Sequence, residues 1–147
     1  MTVDITTSTP DEVLAAVRGW RRSTRAPLNA RMGIEVIEAS AERLVATMPV
    51  EATPSPTACF TVSASVVLAE TLGSIGSALH AGPDKVVVGV DINATHHRPR
   101  TPAGHRRGHP LSVGRTRASW EIVITDEEGK RVCTSRITCL IAAPPGA

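Results

Sequence analysis

The stretch TVSASVVLAETLGSIGSAL, residues 61–79, decides the fold of this chain of 147 residues. Its Leu68, Leu72, Ile75 and Leu79 recur at steps of four, three and four, the spacing of one face of an α-helix. The opposite side of the segment is also largely apolar, which is typical of a helix surrounded by other structure. We therefore predict one long helix here that the rest of the chain wraps.

The segments on both sides of this helix have the patterns of β-strands. Apolar runs, alternating or continuous, predict strands in residues 34–36, 44–48, 86–93, 120–124 and 132–141. Residues 98–116 have room for one more strand, although their pattern is less clear. This order predicts an α+β fold in which a curved antiparallel sheet wraps around one long central helix.

The N-terminal region carries its own helix signal. Thr9, Pro10 and Glu12 supply a capping threonine, a proline at the first helical position and a glutamate three residues after the cap. A length of 147 residues corresponds to a single domain. We expect an N-terminal helix and connector over residues 1–31, the folded domain over 32–142 and a disordered tail over 143–147.

The composition excludes several classes of function. Aromatic residues make up 2% of the chain and the net charge is +2, which disfavours nucleic-acid binding. Three cysteines without a CxxC pair and an N-terminus without a signal segment favour a reducing cytoplasm. The longest apolar stretch is interrupted by Thr, Ser, Glu and Gly, so we expect no membrane span and no membrane partner.

Glu70 is the candidate catalytic residue because it is isolated. Between Glu51 and Asp84 it is the only side chain that is charged at neutral pH. Burial raises the pKa of a carboxyl group, and an unpaired buried charge is costly unless something uses it. We predict a buried Glu70 that acts as a general base or a nucleophile. The alternative is a structural glutamate paired with an arginine from another strand.

Other titratable residues leave further alternatives open. His96 and His97 follow a predicted buried strand, and either is a candidate partner of Glu70. Cys59 as a nucleophile with His96 as its base is a second arrangement, and a zinc site with His105 and His109 is a third. The histidines lack a strong ligand spacing, so we expect no metal. The chain also has no GxSxG, GxGxxG or GxxxxGK[ST] motif, which disfavours serine hydrolases and nucleoside triphosphatases.

Arginines are crowded after the strand predicted in residues 86–93. Arg98, Arg100, Arg106 and Arg107 lie between His96 and His109. Guanidinium groups suit phosphate, so the cluster is either an anion site or a solvated basic loop.

Two motifs carry a resemblance to a known family: LAETLGS at residues 68–74 and GVDINATHHRP at residues 89–99. With them, the chain from about residue 32 to residue 141 resembles the hotdog-fold acyl-CoA thioesterases, in the phenylacetate-degradation and dihydroxynaphthoyl-CoA hydrolase branch. The resemblance implies a hotdog fold and identifies Glu70 with the family's catalytic carboxylate. It also implies dimers joined edge to edge, commonly paired into tetramers, with sites at the subunit interface and no cofactor.

The resemblance also implies roles for individual residues. The implied catalytic residues are Glu70, Thr61, Val62 and Ser55. The implied substrate-binding residues are Ser74, His96, Phe60, Gly89 and Val90. The implied ligands of the coenzyme A phosphates are Arg98, Arg100, Arg106, Arg107 and Arg115.

The segment before the central helix departs from the family pattern. The family reads Gln-Pro-x-Gly-x-x-His-Gly-Gly-Ala-Ser, whereas Ser55 stands here for the glutamine and Thr61, Val62 and Ser63 stand for His-Gly-Gly. A backbone N–H does not depend on its side chain, so the amide of Val62 can still donate to a thioester carbonyl.

Two functions from different classes follow. The first is an acyl-thioester hydrolase that acts on acyl-CoA or on acyl groups bound to a carrier protein. The alternative is a non-hydrolytic hotdog protein that binds a thioester intermediate, or performs proton-transfer chemistry on it, in a biosynthetic pathway. Retention of Glu70, Ser74 and His96 favours the hydrolase, and the altered His-Gly-Gly positions favour the alternative.

Overall fold

A computed structural model describes residues 7–22, 27–49, 62–98 and 106–146. The helices are α1 (Pro10–Arg22), α2 (Pro27–Arg31) and α3 (Val62–Ala81). The strands are β1 (Glu35–Ala39), β2 (Leu44–Thr47), β3 (Val86–His96), β4 (Arg106–Val113), β5 (Arg117–Thr125) and β6 (Arg131–Ala142). All six strands form one antiparallel sheet in the order β1-β2-β4-β5-β6-β3. The predicted α+β fold is confirmed.

Helix α3 lies against one face of this sheet at very short range. A Cβ added at Gly73 would overlap Cγ2 of Ile137, and one added at Gly76 would lie 2.5 Å from the Trp120 ring. Both glycines therefore let the helix backbone approach β5 and β6 more closely than any side chain would allow. By length and composition α3 would also suit a membrane span, but 61% of its apolar 18-residue window is buried, as in a core helix.

Helix α1 begins as the sequence predicts. The backbone N–H of Thr9 donates to Oε2 of Glu12 at 2.8 Å, and the N–H of Glu12 donates to Oγ1 of Thr9 at 3.4 Å. The first of these bonds, together with one from the threonine hydroxyl, lowers the pKa of Glu12. Val13 and Val17 are buried and belong to the same core as α3 and the sheet.

The two edges of the sheet differ. At one edge, β1 has five residues and packs against α1. Nε of Arg18 in α1 donates a hydrogen bond to the carbonyl of Val36 in β1 at 3.2 Å. At the other edge, β3 has 11 residues, and no described segment pairs with its outer side. A long strand with a free edge is an open template for pairing with another strand.

Strand β4 is the element that the sequence indicated least clearly. Its burial does not alternate beyond Pro110, because the pairing with β5 shifts register between Pro110 and Ser112. A bulge of this kind breaks the period of two on which strand prediction depends.

Candidate active site

Glu70 lies in the middle of α3, and its carboxylate is held by the next turn of the helix. The hydroxyl of Ser74 donates to Oε1 of Glu70 at 2.9 Å. Residues four apart lie on the same face of a helix, so this bond needs no contribution from another element. Among the described residues Glu70 has no ion pair, so the paired-arginine alternative finds no support there.

The prediction of a buried Glu70 is wrong for the single chain, in which the side chain is exposed. The sheet covers only one side of α3, and a stripe on the opposite flank stays partly open. The members of this open stripe are Ser63, Val67, Glu70, Ser74, Ala78 and Ala81. Apolar composition all round a helix indicates that it will be covered, but the cover need not come from the same chain.

His96 ends β3 on the side of the sheet that faces α3. It pairs with Cys133, a fully buried core residue, and paired residues in an antiparallel sheet point to the same face. Its Nε2 is buried and has no hydrogen-bond partner among the described residues. Burial, and secondarily the neighbouring charge of His97, lowers the pKa of His96. Both effects favour the neutral imidazole.

His97 points to the other face of the sheet. Its Nε2 lies 2.9 Å from Oγ1 of Thr134. Of the two adjacent histidines, only His96 faces the side of the sheet on which Glu70 lies.

Val62 is the first residue of α3, and its side chain is 58% exposed. The first four N–H groups of a helix have no acceptor within that helix, so no carbonyl group of α3 itself accepts from the amide of Val62. Three other residues expected in the catalytic and acyl sites, Ser55, Phe60 and Thr61, lie outside the described residues, as does Cys59.

Gly89 and Val90 lie in β3, on the free edge of the sheet. Gly89 pairs with Cys139 and so faces α3, whereas Val90 sits in a register shift between Gly89 and Asp91 and is 58% exposed. An extra residue of this kind bends the strand and re-aims the side chains around it.

The expected arginine cluster is divided by the structure. Arg98 and Arg107 are exposed near the end of the sheet where β3 stops, and Arg115 is exposed in the turn between β4 and β5 at the opposite end. The prediction that Arg106 is a ligand of the coenzyme A phosphates is wrong. Arg106 is fully buried, and its Nη2 donates a hydrogen bond to the carbonyl of Met48 at 3.3 Å. Alternation along β4 turns Arg106 inward and Arg107 outward, so only Arg107 can meet a solvent-borne phosphate. Arg100 lies outside the described residues.

One contact beside Glu70 has no signal in the sequence. The hydroxyl of Thr71 lies 3.0 Å from Oδ1 of Asn29 in α2 and 2.8 Å from the carbonyl of Val67. Because Asn29 and Thr71 are 42 positions apart, no local pattern relates them. The contact fixes the rotation of α3 about its axis at the turn that carries Glu70.

Comparison with known proteins agrees with this architecture. A family model described as the thioesterase superfamily matches residues 63–133. The proofreading thioesterase EntH of Klebsiella pneumoniae is 44% identical over 130 residues, which cover 80% of this chain and 94% of that protein. The EntH of Cronobacter turicensis is 41% identical, with 83% of this chain and 97% of that protein covered.

Comparison with solved structures also supports this fold. A thioesterase from Haemophilus influenzae superposes with a TM-score of 0.79 at 33% identity, covering 93% of this chain and 92% of that one. A mutant thioesterase from Pseudomonas aeruginosa gives a TM-score of 0.81 at 30% identity, covering 94% and 98%. The expected hotdog fold is confirmed. The chain is therefore a hotdog-fold member of the thioesterase superfamily, an enzyme family that hydrolyses thioesters.

Proposed function

We propose that this protein hydrolyses acyl thioesters with Glu70 as the general base or nucleophile. The observation that carries the proposal is the Glu70–Ser74 pair, because it presents an oriented carboxylate on a helix face that is open to a ligand. A thiol-release assay over a panel of acyl-CoAs, with and without Glu70, tests it.

The chemistry requires one proton transfer or one covalent step at this carboxylate. As a general base, Glu70 removes a proton from water, the hydroxide attacks the thioester carbonyl, the C–S bond breaks and the thiolate leaves with the proton. As a nucleophile, Glu70 attacks the same carbon, the C–S bond breaks and the thiolate leaves. Water then hydrolyses the resulting anhydride, which regenerates the Glu70 carboxylate and releases the acid and the proton that the thiolate takes up. Ser74 fixes one carboxylate oxygen in both cases. The lowered pKa of His96 favours the neutral imidazole, a polar group without a positive charge.

A single chain cannot hold one carbonyl between the amide of Val62 and Glu70. The two residues are eight positions apart in α3, which corresponds to about 12 Å along the helix axis. A carbonyl polarised by this amide therefore needs the Glu70 of a second copy. The free edge of β3 offers a place for two copies to join, so we propose a homodimer with sites across the interface, and a homotetramer built from two such dimers.

The two-copy site predicts that two inactive variants restore each other. Val62→Pro removes the amide donor, while proline remains acceptable at the first helical position. Glu70→Gln removes the carboxylate. In a mixed dimer, one of the two sites regains both groups, so a re-equilibrated equal mixture should reach about a quarter of wild-type activity.

Light scattering should show at least a dimer for the wild type and for both variants. No recovery on mixing, with mixed dimers shown by differential tagging, would place the site within one chain. An active monomer at micromolar concentration would contradict the interface site as well.

The substrate class follows from the resemblance and from exposed cations. We propose acyl-CoA or a carrier-protein thioester as the substrate, with Arg98 and Arg107 at one end of the sheet and Arg115 at the other as candidate phosphate ligands. The phenylacetate and dihydroxynaphthoyl-CoA branch, and a cytoplasmic location, remain predictions.

A non-hydrolytic thioester-binding protein is the second candidate. Thr61, Val62 and Ser63 stand where the family has His-Gly-Gly, and a β-branched valine narrows the backbone conformations open to that turn. Such a protein would keep Glu70 for proton transfer on a bound intermediate and would release no thiol.

Restoring the motif separates the two candidates. We expect the combination of Ser55→Gln, Thr61→His, Val62→Gly and Ser63→Gly to raise hydrolysis about tenfold, or about 1.4 kcal/mol in barrier. A correctly positioned hydrogen-bond donor to the oxyanion lowers the activation barrier by more than this, about 3–4 kcal/mol. The readout is kcat/KM for thiol release, beside a variant that carries Ser55→Gln alone. A restored protein that folds and assembles normally yet hydrolyses no acyl-CoA would favour the non-hydrolytic function.

A further inference from the structure

Asn29 and Thr71 form a polar contact between α2 and the turn of α3 that carries Glu70. The Thr71 hydroxyl lies 3.0 Å from Oδ1 of Asn29 and 2.8 Å from the carbonyl of Val67. An asparagine amide has an acceptor at one end and donors at the other, so the pair can bond whichever end faces the hydroxyl. Thr71 is 4% exposed. Because buried polar groups need partners, a hydroxyl at this position depends on what the fold supplies.

Asn29 is itself tied to the core. Its backbone carbonyl accepts a hydrogen bond from the N–H of Ile34 at 3.0 Å, and Ile34 is buried. Gly33, just after α2, has a φ of 64° and turns the chain toward β1. The Asn29 side chain therefore projects from a helix that is anchored to the buried start of β1.

The other contacts of α3 define its distance from the sheet better than its rotation. Gly73 and Gly76 determine how closely the helix approaches the sheet. The packing around them is apolar, and apolar packing has no preferred direction. The hydroxyl of Ser74 holds Glu70, but it belongs to α3 and turns with it. Within the described part of the chain, Asn29 is the only residue outside α3 whose side chain forms a hydrogen bond at this turn.

A small rotation of α3 has a large effect at the end of the Glu70 side chain. A helix with its side chains has a radius of about 5–6 Å, so a rotation of about 10° moves an outer atom by about 1 Å. A misplacement of this size can lower the rate of a reaction about 100-fold. Thr71 follows Glu70 directly in the chain, so a bond that holds Thr71 also holds the backbone from which the carboxylate projects.

We propose that Asn29 is a positioning residue: it holds Thr71, and Thr71 holds the turn of α3 that directs the Glu70 carboxylate at the thioester carbonyl. The proposal rests on the thioester hydrolysis proposed above. Asn29 touches no reacting atom in this scheme. Its loss would slow the chemical step and leave substrate binding nearly unchanged, because the alignment of the carboxylate matters most in the transition state.

The test removes each partner of the contact in turn. The variants are Asn29→Ala, Thr71→Val, which keeps the branched shape of threonine, and the double variant. In a thiol-release assay with acyl-CoA, each single change should lower kcat about tenfold and change KM less than about twofold. The double variant should be no slower than Thr71→Val, because both changes remove the same bond. Thr71→Ser keeps the hydroxyl and should retain the wild-type kcat.

The matched control is Thr138→Val, which removes a side-chain hydrogen bond of the same length. Oγ1 of Thr138 and Oγ of Ser119 lie 3.0 Å apart. The neighbours of Thr138, Ile137 and Cys139, point into the core, so Thr138 lies on the face of the sheet away from α3. The control should leave kcat unchanged. All variants are assayed well below their thermal unfolding midpoints, so that a loss of folded protein does not lower the measured kcat.

Unchanged kcat in Asn29→Ala, a rise in KM alone, additive losses in the double variant or an equal loss in the control would overturn the proposal. If the wild type releases no thiol from any acyl-CoA, thioester hydrolysis itself fails, and crystal structures then test the positioning alone. Between the wild type and Asn29→Ala, α3 should rotate and displace the Glu70 carboxylate by about 1 Å. A carboxylate in the same place in both crystals would refute the role of Asn29.

Discussion

Replacing Glu70 with glutamine is expected to lower kcat for thioester hydrolysis at least about 100-fold, the effect of removing a positioned acid–base group. Glutamine keeps the size of the side chain and can still accept the 2.9 Å hydrogen bond from Ser74. The variant thus loses the charge and basicity while the helix and its neighbours stay in place. Thiol release followed with a chromogenic reagent gives kcat and KM separately.

The matched control for this experiment is Glu127→Gln, which removes an exposed carboxylate from the turn between β5 and β6. It changes the net charge by the same amount and should leave kcat unchanged. Ser74→Ala should have a smaller effect than Glu70→Gln, because it frees the carboxylate without removing it. Unchanged turnover in Glu70→Gln would exclude this residue from the mechanism.

The second large effect concerns stability. Gly73→Ala should lower the free energy of unfolding by about 1–3 kcal/mol, because its methyl group would overlap Ile137 and a packed core accommodates extra volume poorly. The opposite sign is expected for Gly19→Ala in α1, where an added Cβ meets no atom of the described residues within 4 Å. That substitution should gain roughly 0.5–1 kcal/mol, since alanine favours a helix more than glycine does. Urea unfolding measures both.

A double-mutant cycle shows whether the overlap is the cause. Ile137→Ala alone should cost about 2–5 kcal/mol through the cavity that it leaves. In the double mutant, the methyl group of Gly73→Ala enters that cavity. The loss of unfolding free energy in the double mutant should therefore be smaller than the sum of the losses in the two single mutants. Strict additivity would assign the loss at Gly73 to another cause.

The sequence predicted the elements whose residues repeat without interruption. The central helix was expected over residues 61–79 and is found at Val62–Ala81, because its leucines and isoleucine keep one helical face over about three turns. The Thr9–Glu12 capping arrangement was also predictable, because all its groups lie within four consecutive residues. Strand β4 was less evident, because a register shift and Pro110 interrupt its alternation.

The candidate site was predictable in its residues but not in its surroundings. The isolation of Glu70 is visible in the sequence. Its exposure is not, because that depends on which flank of α3 the sheet covers. The inward turn of Arg106 likewise depends on the pairing of β4 with its neighbours, and the contact between Asn29 and Thr71 depends on how α2 meets α3. Each of these features is set by tertiary structure, which local periodicity does not encode.

The unequal edges of the sheet also limit how large an assembly can become. If both edges were open, head-to-tail pairing of one copy's β1 with the next copy's β3 would continue without end and produce a fibre. Arg18 and α1 occupy the β1 side, so strand addition is left to β3, which can pair with its own counterpart in a second copy. When β3 of one copy pairs with β3 of a second copy, the free β3 edges of both copies are covered. In the dimer proposed above, the free edge of β3 would thereby change from an aggregation hazard into a contact that ends after a single partner.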